Sequence, residues 1–224
     1  MRYIRLTIDL MLTLSADNFN AIKWWVDASY AVHPNMHGHT GATMTLGKGS
    51  ICSISSKQKI NMRSSTESEL IGMNDVLGQI LWTRNFLADQ GYNMEPSTVM
   101  QDNKSAMLLE NNGILLSSKQ TKHISVRYYF IKDNIERGEI NCIYCPTGEM
   151  IGDFFTKPLH GSQFIKFRDA IIGVSHSESI VKECVEETEA QRHRDLYKKT
   201  MTLCAKIITK TNTATSTYVT YVPA

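Results

Sequence analysis

No stretch of this 224-residue chain is apolar enough to cross a membrane, neither sign of charge dominates, and the cysteines form no framework. The opening MRYIRLTIDLMLTLSAD is interrupted by Arg5 and Asp9, well short of the roughly 18 uninterrupted apolar residues of a membrane span. Asp9 also breaks any secretory apolar region, and no small-residue cleavage pattern follows, so neither a membrane partner nor secretion is expected. The formal charge of +2 nominates no partner, because nucleic-acid binding at this balance requires basic residues gathered on one face. Five cysteines without regular spacing exclude a disulfide scaffold and fit a reducing compartment, cytoplasmic or nuclear. What is present, 42% hydrophobic residues, suffices for one substantial core with extensions.

The pattern along the chain is that of an α/β protein. Residues 22–32, IKWWVDASYAV, read as a strand, and TGATMTLG and GSICSISS as two more, with Gly47-Lys48-Gly49 making a hairpin of that pair. After Arg63 the period changes. Leu70, Met73, Leu77, Ile80 and Leu87 fall at helical spacing and predict a long helix stopped near Gly91. A short strand STVMQ follows, then a helix from about Lys104 with a break at Gly113, and a helix from about Lys122 to Arg137 closed by Gly138. EINCIYC alternates as a fifth strand, GEMIGDFFTK opens a helix that Pro158 closes, and Gln163 to Ile172 form one more helical piece. The order predicts a five-stranded mixed sheet with flanking helices. From residue 173 the chain turns into a charge-rich helix and then a polar, Thr-rich stretch with little to bury, an appendage over 173–224.

Four acids carry the chemistry of this layout. Asp27 lies inside the first strand beside Trp24, Trp25 and Val26, where a carboxylate is costly unless paired or metal-bound; its ordinary alternative is to face solvent. In RSSTESELIG, Glu67 stands three residues after Ser64 and suits a capping box, which leaves Glu69 to border the sheet-facing side of the helix and meet Asp27. Asp102 directly follows STVMQ, and ligands collect at the carboxyl ends of strands; its alternative is to cap the helix at Lys104. Asp153 lies in EMIGDFFTKPL, where taken singly it would be a surface helix acid. Together the four supply enough negative charge for two hard divalent cations held roughly 3.5–4 Å apart, the arrangement that serves phosphodiester hydrolysis.

The blocks WVDASYAVH, HTGATMTLGKG, SSKQK, SSTESELIG, DNKSAMLL, TKHISVRYYF and CPTGEMIGDFFTKPL resemble, in that order, the ribonuclease H family, specifically its copia-type retrotransposon branch. The resemblance covers about 22–172 and implies a ribonuclease H-like fold. It also implies that Asp27, Glu69, Asp102 and Asp153 bind two Mg²⁺ ions, with Mn²⁺ possible and Asp27 bridging both. The implied activity is hydrolysis of the RNA strand of RNA–DNA hybrids during reverse transcription. Residues 1–21 resemble the connection from an upstream reverse transcriptase of the same polyprotein, which implies a longer reading frame and a virus-like particle in the cytoplasm, or the nucleus. Many relatives carry a mobile histidine between the fifth strand and the last helix; here that loop is Pro146-Thr147-Gly148, and Glu149 is either a partial substitute or an ordinary helix-start acid. Two other classes compete with this reading. One is an inactive or domesticated nucleic-acid-binding relic, against which all four acids are intact. The other is an integrase or transposase of the same fold, which needs a different final acid spacing and usually a zinc module.

Basic residues on or near one helix, Lys119, Lys122, His123, Arg127 and Lys132, are candidates for phosphate contact, or a solvated face. Ser29, next to Asp27, is a candidate for contacts to 2′-hydroxyls, and the nucleic-acid-binding set is Ser29, Lys122, His123 and Arg127. His33, His37 and His39 lack matching cysteines for zinc. Cys142 and Cys145 sit in a strand rather than at a helix start and are expected in the core. Trp24, Trp25, Trp82 and Phe86 are likewise expected to pack in the core rather than to stack on bases. No Tyr-x-Asp-Asp polymerase sequence occurs.

Overall fold

A computed structural model of the chain describes the backbone at residue 5 and over 7–107 and 122–215; within these spans the side chains of 122–124, 178–179, 197, 199–201 and 203–215 are left aside. Among the described residues there are seven strands: β1 (Ser15–Ala16), β2 (Lys23–Ser29), β3 (His39–Thr45), β4 (Gly47–Lys48), β5 (Cys52–Lys57), β6 (Ser97–Gln101) and β7 (Ile140–Tyr144). They are accompanied there by the helices α1 (Ser65–Asp89), α2 (Lys122–Glu136), α3 (Gly161–Ile171) and α4 (Glu178–Thr215). The expected Gly113 break lies outside the described residues, as do Lys119 and the last part of the Thr-rich stretch; a helical turn does begin at 104–107.

The main sheet has five strands in the order β5-β3-β2-β6-β7. β5, β3 and β2 run antiparallel, while β2, β6 and β7 run parallel, so the sheet is mixed and β2 lies at its centre. Parallel neighbours require crossovers, and α1 and α2 supply them. Both helices cover one face: Leu70, Met73, Val76, Leu77 and Ile80 of α1 and Ile131 of α2 pack on Trp24, Val26, Ala42, Met44 and Val99. The opposite face buries Trp25, Met100 and Ile143 under Met150, Ile151, Phe167 of α3 and Cys184 of α4. The mixed sheet with helices on its faces thus forms as the sequence pattern predicts.

α1 begins where its capping box places it. Ser64 is extended (φ −149°) and accepts the Glu67 amide at 3.2 Å, while the Glu67 carboxylate reaches back to the Arg63 amide at 2.8 Å, one residue before the cap amide expected. Gly91, with φ +93°, follows the helix end.

Several local expectations are corrected. β2 stops at Ser29 because Ala31 turns left-handed (φ 54°), well before Val32. TGATMTLG and GSICSISS do form the expected antiparallel pair, β3 with β5, but Gly47-Lys48-Gly49 is no tight turn between them: Gly47 and Lys48 form β4, which pairs with β1, and a Cβ on Gly47 would lie 2.6 Å from Asp17 Oδ1. GEMIGDFFTK forms no α-helix but two 3-10 turns, Thr147–Glu149 and Ile151–Phe155, separated by Met150 at ψ 88°. Trp24 and Trp25 are buried as expected, but Trp82 and Phe86 of α1 are 60% and 48% exposed and stack on one another at 5.4 Å.

The chain divides into two compact units, Met1–Val185 and Glu186–Ala224. The first extends beyond Ile172 at one end and below Ile22 at the other. Thr13 N–H donates to Ile172 O (2.8 Å), His176 Nε2 meets Asp17 Oδ1 (2.9 Å), and the Ser177 hydroxyl donates to Gly47 O (2.7 Å). In the second unit, Arg194 pairs with Glu187 at 2.7 Å along one helix. No described helix is long and apolar enough to cross a membrane.

Candidate active site

The carboxyl ends of the two central parallel strands, β2 and β6, bring the candidate acids together. Asp27 lies on β2 near its end, paired across to Gly41 of β3. Asp102 follows the last residue of β6. It does not cap the next helical turn, because Asn103 Oδ1 accepts the Ala106 amide at 3.0 Å. That leaves the Asp102 carboxylate free to accept the Thr147 hydroxyl at 3.1 Å. Glu69 sits in the second turn of α1, pressed against the strand because Gly72 lets the helix approach: a Cβ there would be 3.0 Å from the Ala28 Cβ. Carboxylate oxygens of Asp27, Glu69 and Asp102 lie within 4.8 Å of one another.

Asp153 reaches the same place from the second 3-10 turn. Two glycines make this possible. A Cβ on Gly152 would meet the Asp27 Cβ at 3.0 Å and its amide nitrogen at 3.1 Å, and a Cβ on Gly41 would strike Thr156 Cγ2 at 2.6 Å. With both notched, the segment 152–157 lies directly on β2 and β3. The Thr156 hydroxyl then donates to Asp27 Oδ2, and Lys157 Nζ bridges Asp153 Oδ1 (2.7 Å) and Asp27 Oδ2 (3.6 Å). Thr156, Lys157 and the two glycines went unread in the sequence, where the i,i+4 spacing of Asp153 and Lys157 was the available signal.

Burial and crowding dominate the electrostatics. Asp27, Glu69 and Asp153 are all buried. Glu69 is held well above the ordinary carboxylate range, first by burial and then by the charges of Asp27 and Asp102. Burial and then Asp27 raise Asp102. Asp153 is pushed up to about 7 by burial and Asp27, against the pull of Lys157. Burial works against the Lys157 ammonium, yet Asp27, Asp153 and Asp102 hold its pKa above the usual lysine value. Glu69 Oε2 is buried without a hydrogen-bond partner. A buried, unpartnered carboxylate oxygen beside two more carboxylates needs a proton or a cation. Oxygen-only donors in this arrangement suit a hard divalent ion, which Asp27, Glu69 and Asp102 would hold.

The other sequence candidates are distributed differently. Ser29 is brought to the site, but its hydroxyl donates to Thr156 O (3.3 Å) and braces the same segment. Arg127 sits on α2 near Asp75 of α1, with a buried guanidinium nitrogen. The side chains of Lys122 and His123 are outside the described residues. Glu149 pairs with Lys166 of α3, the ordinary role for an acid there. His33 Nε2 and His39 Nδ1 share a hydrogen bond at 3.0 Å, and His37 Nδ1 meets Gln58 O at 2.6 Å, so these rings are engaged within the protein. Cys142 and Cys145 are buried, and the near neighbour of Cys145 is Cys184, with sulfurs 2.6 Å apart.

Fold and site together define an α/β domain with a mixed five-stranded sheet and a buried acidic cluster at the ends of its central strands. Its relatives by sequence are retrovirus-related Pol polyproteins of transposons. The chain is 28% identical over 173 residues to that of transposon RE1 of Arabidopsis thaliana, covering 76% of this chain and 12% of the relative. It is 29% identical over 169 residues to that of RE2 of the same plant, covering 75% and 12%. A third, from TNT 1-94 of Nicotiana tabacum, is 28% identical over 165 residues, covering 73% and 12%. The chain therefore spans only about 12% of the length of these relatives. No family model matches it. Among solved structures, LC11-RNase H1 isolated from compost is similar at 16% identity with a TM-score of 0.43, covering 57% of this chain and 86% of that one. LC11-RNase H1 in complex with an RNA/DNA hybrid is similar at 17% identity and a TM-score of 0.40, covering 58% and 88%. With TM-scores below 0.5, these likenesses add nothing to the strand order described above.

Proposed function

We propose that the chain is the ribonuclease H of a copia-type retrotransposon Pol polyprotein, which hydrolyses the RNA strand of RNA–DNA hybrids during reverse transcription. The observation that carries this reading is the meeting of Asp27, Glu69 and Asp102 within 4.8 Å, with a buried Glu69 oxygen lacking any hydrogen-bond partner. Two Mg²⁺ ions, with Mn²⁺ as a substitute, would supply the charge that activates water and stabilises the leaving oxygen. Asp27, Glu69, Asp102 and Asp153 would hold them. Thr156 and Thr147 fix the rotamers of Asp27 and Asp102, so the oxygens are oriented before substrate arrives. Ser29, Lys122, His123 and Arg127 are the candidate contacts to the nucleic acid, and the upstream reverse transcriptase of the same polyprotein is the candidate partner for gripping it. The setting that fits is a virus-like particle in the cytoplasm, or the nucleus.

The test is cleavage of a labelled RNA–DNA hybrid by purified 1–224 with Mg²⁺ or Mn²⁺, beside single-stranded RNA and duplex DNA. Hybrid alone should be cut. Asp27→Asn should lower the rate about a thousandfold, since losing a ligand to catalytic metals forfeits several kcal/mol of barrier lowering. Asp102→Asn should abolish cleavage while hybrid binding persists. Equal cutting of duplex DNA, or full activity in either variant, would overturn the reading. A folded, inactive protein that still binds hybrid would identify a relic.

A further inference from the structure

We propose that Lys157 is a resident counter-cation that occupies the corner of the site between Asp27 and Asp153, and that a divalent cation entering that corner must displace it. The inference rests on the reading of Asp27, Glu69, Asp102 and Asp153 as a cation site.

The two corners of the site differ in what they hold. On the side of Glu69 and Asp102, the only polar partners described are neutral: the Thr147 hydroxyl on Asp102 and the Ala28 backbone on Glu69, whose Oε2 has none. On the side of Asp153, an ammonium stands between two carboxylates, 2.7 Å from one and 3.6 Å from the other. Those carboxylates are 1% and 3% exposed and cannot turn to water, whereas the Lys157 side chain is 39% exposed. A lysine is a compact charge on a flexible four-carbon stem, so its head can swing into solvent while the carboxylates stay. An ammonium and a divalent cation sharing Asp27 and Asp153 would repel strongly at such short range in a partly buried site. Lys157 therefore competes by direct contact at one corner and reaches Glu69 and Asp102 at the other only through space. Its presence also explains how the buried carboxylate pair is tolerated before any metal arrives, because an uncompensated buried pair of like charges would drive the segment off the sheet. Thr156, being neutral, keeps its bond to Asp27 in either state.

The expected signature is two classes of cation binding with different dependence on Lys157. Mn²⁺ would be titrated against the purified 1–224 chain by calorimetry and by electron paramagnetic resonance. The titration would also be run from the loaded side with a competing chelator, so that a variant that folds only with metal still reports. Wild type should show a tighter and a weaker event. Lys157→Met should tighten the weaker event by about tenfold or more and move the tighter one by less than about threefold, because the ammonium contacts the carboxylates of one corner and acts on the other from farther away. Lys157→Arg, which keeps the charge, should leave the weaker event weak. In chelator, Lys157→Met should melt below wild type and recover more on adding Mn²⁺. A weaker event that Lys157→Met leaves unchanged or weakens overturns the proposal, as does a single event in both proteins. Hybrid cleavage is scored separately: a Lys157-dependent second event without cleavage would sink the nuclease reading and leave this inference standing.

Discussion

The two faces of the sheet are built by different means. On one, α1 and α2 lay regular turns of Leu, Ile, Met and Val over the strands. On the other, two 3-10 turns, α3 and the start of α4 cover a smaller apolar patch, and the 3-10 segment comes up to the strands through Gly41 and Gly152. The first face accumulates buried apolar area, which is where stability comes from. The second brings charged groups up to Asp27, which costs stability and gives the acidic cluster its fourth member. Glu69 of α1 crosses from the first face to the second's chemistry.

Substitutions on each face should separate these roles. The largest stability loss is expected from Leu77→Ala on the helical face: about 2–5 kcal/mol in chemical denaturation, with cation affinity of the folded protein unchanged. A change in affinity would mean that the faces are coupled through the strands. Gly152→Ala is the converse case, costing about 1–3 kcal/mol as the added Cβ meets Asp27, but weakening cation binding and hybrid cleavage out of proportion to that loss. Unaltered binding would show that the segment relaxes without moving Asp153.

The acidity of the second face gives a smaller effect. Carboxyls whose pKa is raised by folding bind more protons folded than unfolded, so their contribution is whole below the ordinary carboxylate pKa and fades as pH rises. With Asp153 pushed up to about 7 and Glu69 and Asp102 also raised, metal-free stability should fall between about pH 4 and pH 7. Asp153→Asn should flatten that slope in melts run with chelator, and an unchanged slope would assign it elsewhere. Smallest of all, Trp82→Ala on the outer side of α1 should cost no more than about 0.5 kcal/mol, because its ring stacks on Phe86 outside the core.

The helical face was the more legible one. Leu70, Met73, Leu77 and Ile80 advertise α1 by spacing alone, STVMQ has the bounds of β6, and the four acids could be singled out by their order along the elements: inside a strand, on the next long helix, ending a strand and in a late helical piece. The second face was harder for a physical reason. Its conformation depends on contacts between residues far apart in sequence, such as Gly152 against Asp27 and Gly41 against Thr156, which no local period records. GEMIGDFFTK has a helical look, yet packing against two strands at once shortens it into 3-10 turns. Lys157 reads as a surface lysine until Asp27 is placed beside it. Trp82 and Phe86 follow the helical period closely enough to pass for core, and only the width of the covered stripe excludes them. β1 was missed because its partner, β4, is itself only two residues long.

That small β1–β4 pairing has a mechanical consequence. Thr13 is hydrogen-bonded to Ile172, and Asp17 to His176, so the polypeptide enters and leaves the sheet domain through one corner. Tension applied through residues 13 and 176 would first meet the two-residue bridge, the Thr13–Ile172 backbone bond and a few side-chain bonds, and only after these had opened would it load β2 and the carboxylates at the centre of the sheet.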